Sequence, residues 1–162
     1  MSSSGTPSSL GRAPRKFLVV IDRTPKCAVA LRFATRRAQH TGGRVTLMCA
    51  ASPPDFQHWR GVEENMKDEA HAEAEGLLYA AHKTVNDLSG ILPELVIPYG
   101  EITACLGKIL KEDKDISILV LASGAGKEGQ GPLVSLFGSA VQSIPVTIVP
   151  GNFTDAQIYA LA

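Results

Sequence analysis

The chain has 162 residues, with 16 basic and 16 acidic side chains and a formal net charge of zero. This balance argues against a global field that would draw the protein to nucleic acid or to an anionic membrane surface. The length fits one domain, and the apolar runs fall far short of the roughly 20 residues that a membrane span needs. We therefore expect a soluble, single-domain protein that binds neither nucleic acid nor membrane.

The start of the chain, residues 1–15, is rich in Ser, Gly and Pro and has no long apolar stretch. This composition predicts a flexible tail rather than a secretory signal. The three cysteines, Cys27, Cys49 and Cys105, form no Cys-x-x-Cys pair. An odd number of dispersed cysteines is typical of buried free thiols in a reducing compartment, so we expect a cytoplasmic location.

Five short segments rich in Val, Ile and Leu recur along the chain. They are continuously apolar rather than alternating, which is typical of strands covered on both faces. The predicted strands are residues 17–21, 45–50, 94–97, 116–121 and 146–149. Pro145 and Pro150 bracket the last segment, which predicts that this strand lies at an edge of the sheet.

Helical signals fill the intervals. In the first interval Thr24 can cap a helix with Pro25 in its first turn, and Gly42 and Gly43 end it. Its apolar face is formed by Ala30, Phe33, Ala34 and Ala38. Further helices are predicted at about 56–88 with an acidic, solvent-facing first half, at 102–111, at about 132–142, and in the tail, where Thr154 caps and Ile158 and Leu161 dock.

The alternation of strand and helix predicts an α/β fold, a single doubly wound domain with a five-stranded parallel sheet flanked by helices. We expect this domain at residues 16–150, followed by a C-terminal extension at 151–162. Ligands of such sheets bind at the carboxyl ends of the strands. Residues that directly follow strands are therefore the candidates for a site.

A glycine-rich stretch follows the fourth predicted strand and predicts a phosphate cradle, because glycines let backbone N–H groups approach an anion. The segment Gly124-Ala-Gly-Lys127 is not a P-loop. Leu121 and Glu128 stand where that motif needs a glycine and a hydroxyl. The stretch holds Gly124, Gly126, Gly129 and Gly131 and leads through a second apolar segment to Gly138 and Ser139.

Three segments carry a resemblance to a known family: residues 16–34 with Asp22 after the first strand, residues 43–50, and residues 118–149 with the glycine loop. Over residues 16–150 the chain resembles the universal stress protein family. The resemblance implies a Rossmann-like fold of the adenine nucleotide alpha hydrolase type and a role as a cytoplasmic stress-response regulator or sensor. It also implies ATP with Mg²⁺ as a ligand and a homodimer formed through the edge strand from Val146 to Val149.

The resemblance further implies a nucleotide site. Asp22 stands where the family has an acidic residue facing the nucleotide, and Ala50 stands where the backbone of the second strand contacts adenine. From the residues alone, Asp22 fits a ribose contact and a simple Asx turn or helix cap equally well. The phosphates would be held by Ser123, Gly124, Gly126, Gly129, Gly131, Gly138 and Ser139.

The spacing of the loop departs from the pattern Gly-x2-Gly-x9-Gly-Ser/Thr of the family's ATP-binding members. Gly126 and Gly129 have the first spacing, but eight residues separate Gly129 from Gly138, and Glu128 adds a negative charge. Two hypotheses stay open: a nucleotide-binding sensor, and a dimeric interaction module that binds no nucleotide. An enzyme such as a nucleotide hydrolase is a weaker third, since the sequence presents no catalytic or metal-ligating constellation.

Overall fold

The computed structural model describes residues 14–51, 63–124 and 144–162. Within them, five strands form one sheet in the order β3-β2-β1-β4-β5, and every pair is parallel. The predicted α/β fold with a five-stranded parallel sheet is confirmed. The strands are β1 (Lys16–Val20), β2 (Arg44–Met48), β3 (Glu94–Val96), β4 (Ile116–Ser123) and β5 (Val146–Pro150).

The helices of the described residues also follow the prediction in order. The predicted helix at about 132–142, and residues 56–62 of the long helix, lie outside the described residues. No helix in the described ranges is long and apolar enough to cross a membrane. The helices are α1 (Pro25–Thr41), α2 (Glu63–Ser89), α3 (Ile102–Glu112) and α4 (Asp155–Leu161).

Helix α1 has the predicted apolar face and stop signal. Ala30, Ala34 and Ala38 are buried, and Gly42 ends the helix in the left-handed conformation at φ 71°. The prediction that Thr24 caps α1 through its side chain is wrong. Thr24 occupies the capping position, but its hydroxyl accepts no hydrogen bond from the amides of α1 and donates to Asp22.

The core has two layers, one on each face of the sheet. On one face Phe17, Val19 and Leu47 pack with buried residues of α1 and α2. On the other face Leu18 and Val20 pack with residues of α3. The layers explain why the strands are continuously apolar, since β1 is buried on both sides. Cys27, Cys49 and Cys105 are free and buried, as predicted.

A buried cation lies at the amino end of the sheet. Lys16 is 4% exposed, and its Nζ lies 2.6 Å from Asp113 Oδ2 and 3.3 Å from Glu94 Oε1. Burial lowers the pKa of Lys16, but the hydrogen bonds to Asp113 and Glu94 outweigh it and the net pKa is raised. This ion pair joins β1 to the end of α3 at the amino end of the sheet. The site candidates lie at the opposite end, where the strands have their carboxyl ends.

The C-terminal helix α4 packs on α1. Thr154 caps it through a reciprocal pair of hydrogen bonds with Gln157, as predicted, and Ile158 is 2% exposed. The expectation that Leu161 also docks is wrong, since its side chain is 58% exposed. Leu161 is the last residue of α4, so no further helical turn packs beside its side chain.

Candidate functional site

The topology brings the ends of β1 and β4 together. From β1 the chain proceeds to β2 on one side of it and later returns to β4 on the other. The connections therefore diverge at the carboxyl ends of β1 and β4, and this divergence opens a crevice in parallel sheets. Asp22 lies just beyond β1, Ser123 ends β4, and Gly124 follows it. The structure thus places these predicted site residues at one edge of the sheet.

A cleft of about 400 Å³ lies at this edge, within the range of small-molecule sites. A side pocket of about 80 Å³ between β2 and α2 adjoins it and shares Cys49, Ala50 and Leu77 with it. The cleft brings Asp22 and Ala50 together as predicted, whereas Ser123 and Gly124 do not line it. Its lining is Ile21, Asp22, Arg23, Cys49, Ala50, Leu77, Glu101 and Ile102.

The remaining predicted phosphate ligands cannot be placed in this geometry. Gly126, Gly129, Gly131, Gly138 and Ser139 lie outside the described residues.

Asp22 forms the turn between β1 and α1. Its Oδ1 accepts hydrogen bonds from the Thr24 amide at 2.8 Å and from the Thr24 hydroxyl at 2.6 Å. This is the Asx turn that was one of the two expectations for this residue. Its other oxygen, Oδ2, accepts no hydrogen bond from the described residues. Among the described residues, Asp22 therefore uses one carboxylate oxygen in the turn and has the other without a partner in the cleft.

The buried thiol of Cys27 stabilises the same turn through two hydrogen bonds to the backbone. Its Sγ accepts from the Asp22 amide at 3.4 Å, and the thiol donates to the Val20 carbonyl at 3.6 Å. Burial raises the pKa of Cys27 to about 11, so the thiol keeps its proton at neutral pH and can donate. Cys27 thus ties the start of α1 to the end of β1.

Ala50 contributes its backbone groups to the cleft rather than its side chain. The neighbouring amides are occupied, since Cys49 N donates to Val96 O at 3.1 Å and Ala51 N donates to Pro98 O at 2.8 Å. Ala50 is half-buried, and within the described residues its own N–H and C=O take part in no hydrogen bond. A backbone donor and acceptor beside a cleft can recognise the edge of a planar base.

Glu101 and Arg23 are lining residues that the sequence did not single out. Glu101 follows Gly100, whose φ of 133° turns the chain from β3 into α3. Arg23 pairs with Glu73 of α2 across the cleft wall. The sequence does contain a signal for Glu101. It is an acidic residue that follows a glycine beyond the third strand, and ligands of parallel sheets bind beyond the strand ends.

The end of β4 is held closely against the end of β5. Ser123 pairs with Pro150, and a Cβ atom built on Gly151 would lie only 2.2 Å from the Ser123 carbonyl oxygen and 3.3 Å from Lys26 Cβ. Gly151 therefore allows a close approach that no other residue type fits. It also brings the first turn of α1 next to the end of β4.

An open parallel sheet with a cleft at the carboxyl ends of its strands defines a Rossmann-like α/β protein. The family model of the universal stress proteins matches residues 14–150. The chain belongs to the universal stress protein family.

Solved structures have the same fold at low sequence identity. Universal stress protein UspA from Lactobacillus plantarum is 17% identical with a TM-score of 0.72, covering 85% of this chain and 99% of that one. The hypothetical protein MJ0577 is 16% identical at a TM-score of 0.71, with coverages of 86% and 98%. A family protein from Arabidopsis thaliana with AMP bound is 14% identical at a TM-score of 0.55, with coverages of 85% and 92%. No curated protein matches the chain.

Proposed function

We propose that this protein is a cytoplasmic, homodimeric stress-response sensor or regulator that binds an adenine nucleotide in the cleft between β1, β2 and α3. The observation that carries the proposal is the cleft of about 400 Å³ at the carboxyl edge of the sheet, lined by both Asp22 and Ala50. The family relative with AMP bound supports adenine as the base.

The described residues fit the nucleoside part of such a ligand. Asp22 Oδ2, which has no partner among the described residues, accepts from a ribose hydroxyl, and the N–H and C=O groups of Ala50 meet the adenine edge. The phosphates then extend toward Gly124 at the end of β4, and the first turn of α1 lies close by, since Lys26 Cβ would be 3.3 Å from a Cβ built on Gly151. Mg²⁺ would accompany ATP, because the metal offsets the charge that a triphosphate brings to a cleft lined by Asp22 and Glu101.

The test is to purify the protein without added nucleotide, denature it, identify any released small molecule by mass spectrometry, and titrate the folded protein with MgATP by calorimetry. We expect Asp22→Asn to weaken binding about tenfold or more. Asparagine keeps the oxygen that accepts from Thr24 but replaces the free acceptor with a donor. Asp87→Asn, an exposed carboxylate at the far end of α2, is the control and keeps full affinity.

An empty protein that ignores MgATP would contradict the proposal. The second candidate function, a dimeric interaction module without a nucleotide, would then replace it. The surface of α4 favours that candidate, because Tyr159 and Leu161 are 60% and 58% exposed beside Arg36 and Arg37 of α1. Exposed apolar groups next to cations fit a partner that is apolar and acidic.

A further inference from the structure

The charged lining of the cleft is acidic among the described residues. Asp22 and Glu101 each bring a carboxylate to it. The one cation in this lining, Arg23, is already paired with Glu73. A ligand that enters therefore meets excess negative charge at the end where Asp22 and Glu101 lie, and this end favours uncharged hydrogen-bond donors over anions.

The carboxylate of Glu101 is held in place. One oxygen accepts from the Thr103 amide at 3.2 Å, and the other accepts from the Ala104 amide at 3.3 Å. The Thr103 hydroxyl lies 2.5 Å from both oxygens. These hydrogen bonds fix Glu101 as the N-cap of α3, so the charge cannot rotate away from an approaching ligand.

Glu101 also stays ionised. The hydrogen bonds from the Thr103 side chain and backbone lower the pKa of Glu101, since they favour the charged form. The same hydrogen bonds occupy lone pairs on both carboxylate oxygens of Glu101. Glu101 therefore acts on a ligand mainly as a fixed charge, whereas Asp22 keeps Oδ2 open as an acceptor.

We infer that Glu101 determines the specificity of the cleft by rejecting nucleotides that carry a phosphate on the ribose and admitting those with free ribose hydroxyls. This inference rests on the proposed function, and it extends it to the class of nucleotide. Adenosine 5′-phosphates enter. Nucleotides with an additional 2′- or 3′-phosphate are excluded by repulsion from Glu101 and by the absence of an unpaired cation in the described lining.

The experiment compares AMP with adenosine 3′,5′-bisphosphate, which differ only in the 3′-phosphate, by calorimetry at about 10 mM salt, where charges are weakly screened. We expect the wild-type protein to bind AMP about tenfold more tightly than the bisphosphate. Glu101→Gln and Glu101→Ser should reduce this preference to about threefold or less, because the bisphosphate gains more affinity than AMP does when the charge is removed. Serine is a strong N-cap residue, so this variant removes the charge and keeps a cap for α3.

Glu112→Gln is the matched control, because it removes a carboxylate from the opposite end of α3, and it should keep the wild-type preference. In the wild-type protein, raising the salt concentration should weaken the preference. An unchanged preference in both Glu101 variants, with AMP still bound, would overturn the assignment of Glu101 alone. Failure of the wild-type protein to bind AMP would overturn this inference and the proposed nucleotide site together.

Discussion

Thr46 is fully buried in β2, yet its hydroxyl has no hydrogen-bond partner among the described residues. A buried hydroxyl without a partner loses its hydrogen bonds to water and gains none in return. Valine has the same shape without the hydroxyl. We predict that Thr46→Val raises the free energy of unfolding by about 1–2 kcal/mol, measured by urea denaturation.

Thr35 provides the control for this prediction. It is equally buried, but its hydroxyl donates to the Leu31 carbonyl at 2.7 Å. Thr35→Val therefore removes a hydrogen bond and should leave stability unchanged or lower it by up to about 1 kcal/mol. Equal effects of the two substitutions would show that the hydroxyl of Thr46 is satisfied in solution.

The two acidic residues of the cleft differ in how far sequence could predict them. Asp22 follows a continuous apolar run, so its place at the end of a buried strand can be predicted directly. Glu101 follows the three-residue strand β3, whose weak pattern gives no sharp end. Its place in the cleft depends on the turn at Gly100 and on the isolated bridge between Ala51 and Tyr99, and both are tertiary features.

At the scale of elements, the contact between the ends of β4 and β5 leads to a prediction about Gly151. An added Cβ would collide with the Ser123 carbonyl oxygen at 2.2 Å, so the end of β4 must shift. We predict that Gly151→Ala lowers the free energy of unfolding by about 1–3 kcal/mol and weakens MgATP binding, because Gly124 shifts with Ser123. Urea denaturation and calorimetry measure the two effects.

Gly107 in α3 is the counterpart, since a Cβ there meets nothing within 4 Å. Gly107→Ala should raise stability by up to about 1 kcal/mol, because alanine is the better helix former. It should leave MgATP affinity unchanged. If Gly151→Ala left the free energy of unfolding unchanged, the ends of β4 and β5 would not be as closely packed as the structure has them.

The ends of an element could be predicted where a strong local sequence signal determines them. They could not be predicted where the contact with a neighbouring element determines them. The α1 stop at Gly42 and the capping of α4 by Thr154 are local, and both are confirmed. Strand ends depend on pairing partners. β4 continues to Ser123 because β5 pairs with it that far, and β2 ends at Met48 although the apolar run extends to Ala50.

At the scale of the whole molecule, β5 is an edge strand, and Ile148 on it is 39% exposed. An exposed apolar edge is a site for pairing with another chain. We predict a two-fold dimer through β5 that Ile148→Glu converts to a monomer, measured by light scattering at micromolar concentration. Leu92→Glu, at an apolar residue 75% exposed outside the strands, should remain a dimer, and a monomeric wild-type protein would contradict the prediction.

The strand order also determines how the chain must fold as it is synthesised. β1 is the central strand, but its partner on one side, β4, begins at Ile116 and pairs with Lys16. At ribosomal rates of about 5–20 residues per second, β1 waits on the order of 5–20 s for this partner. During that time the apolar edge of β1 is open to any other strand, so the nascent half-sheet of β1, β2 and β3 is the species most exposed to pairing with the wrong chain.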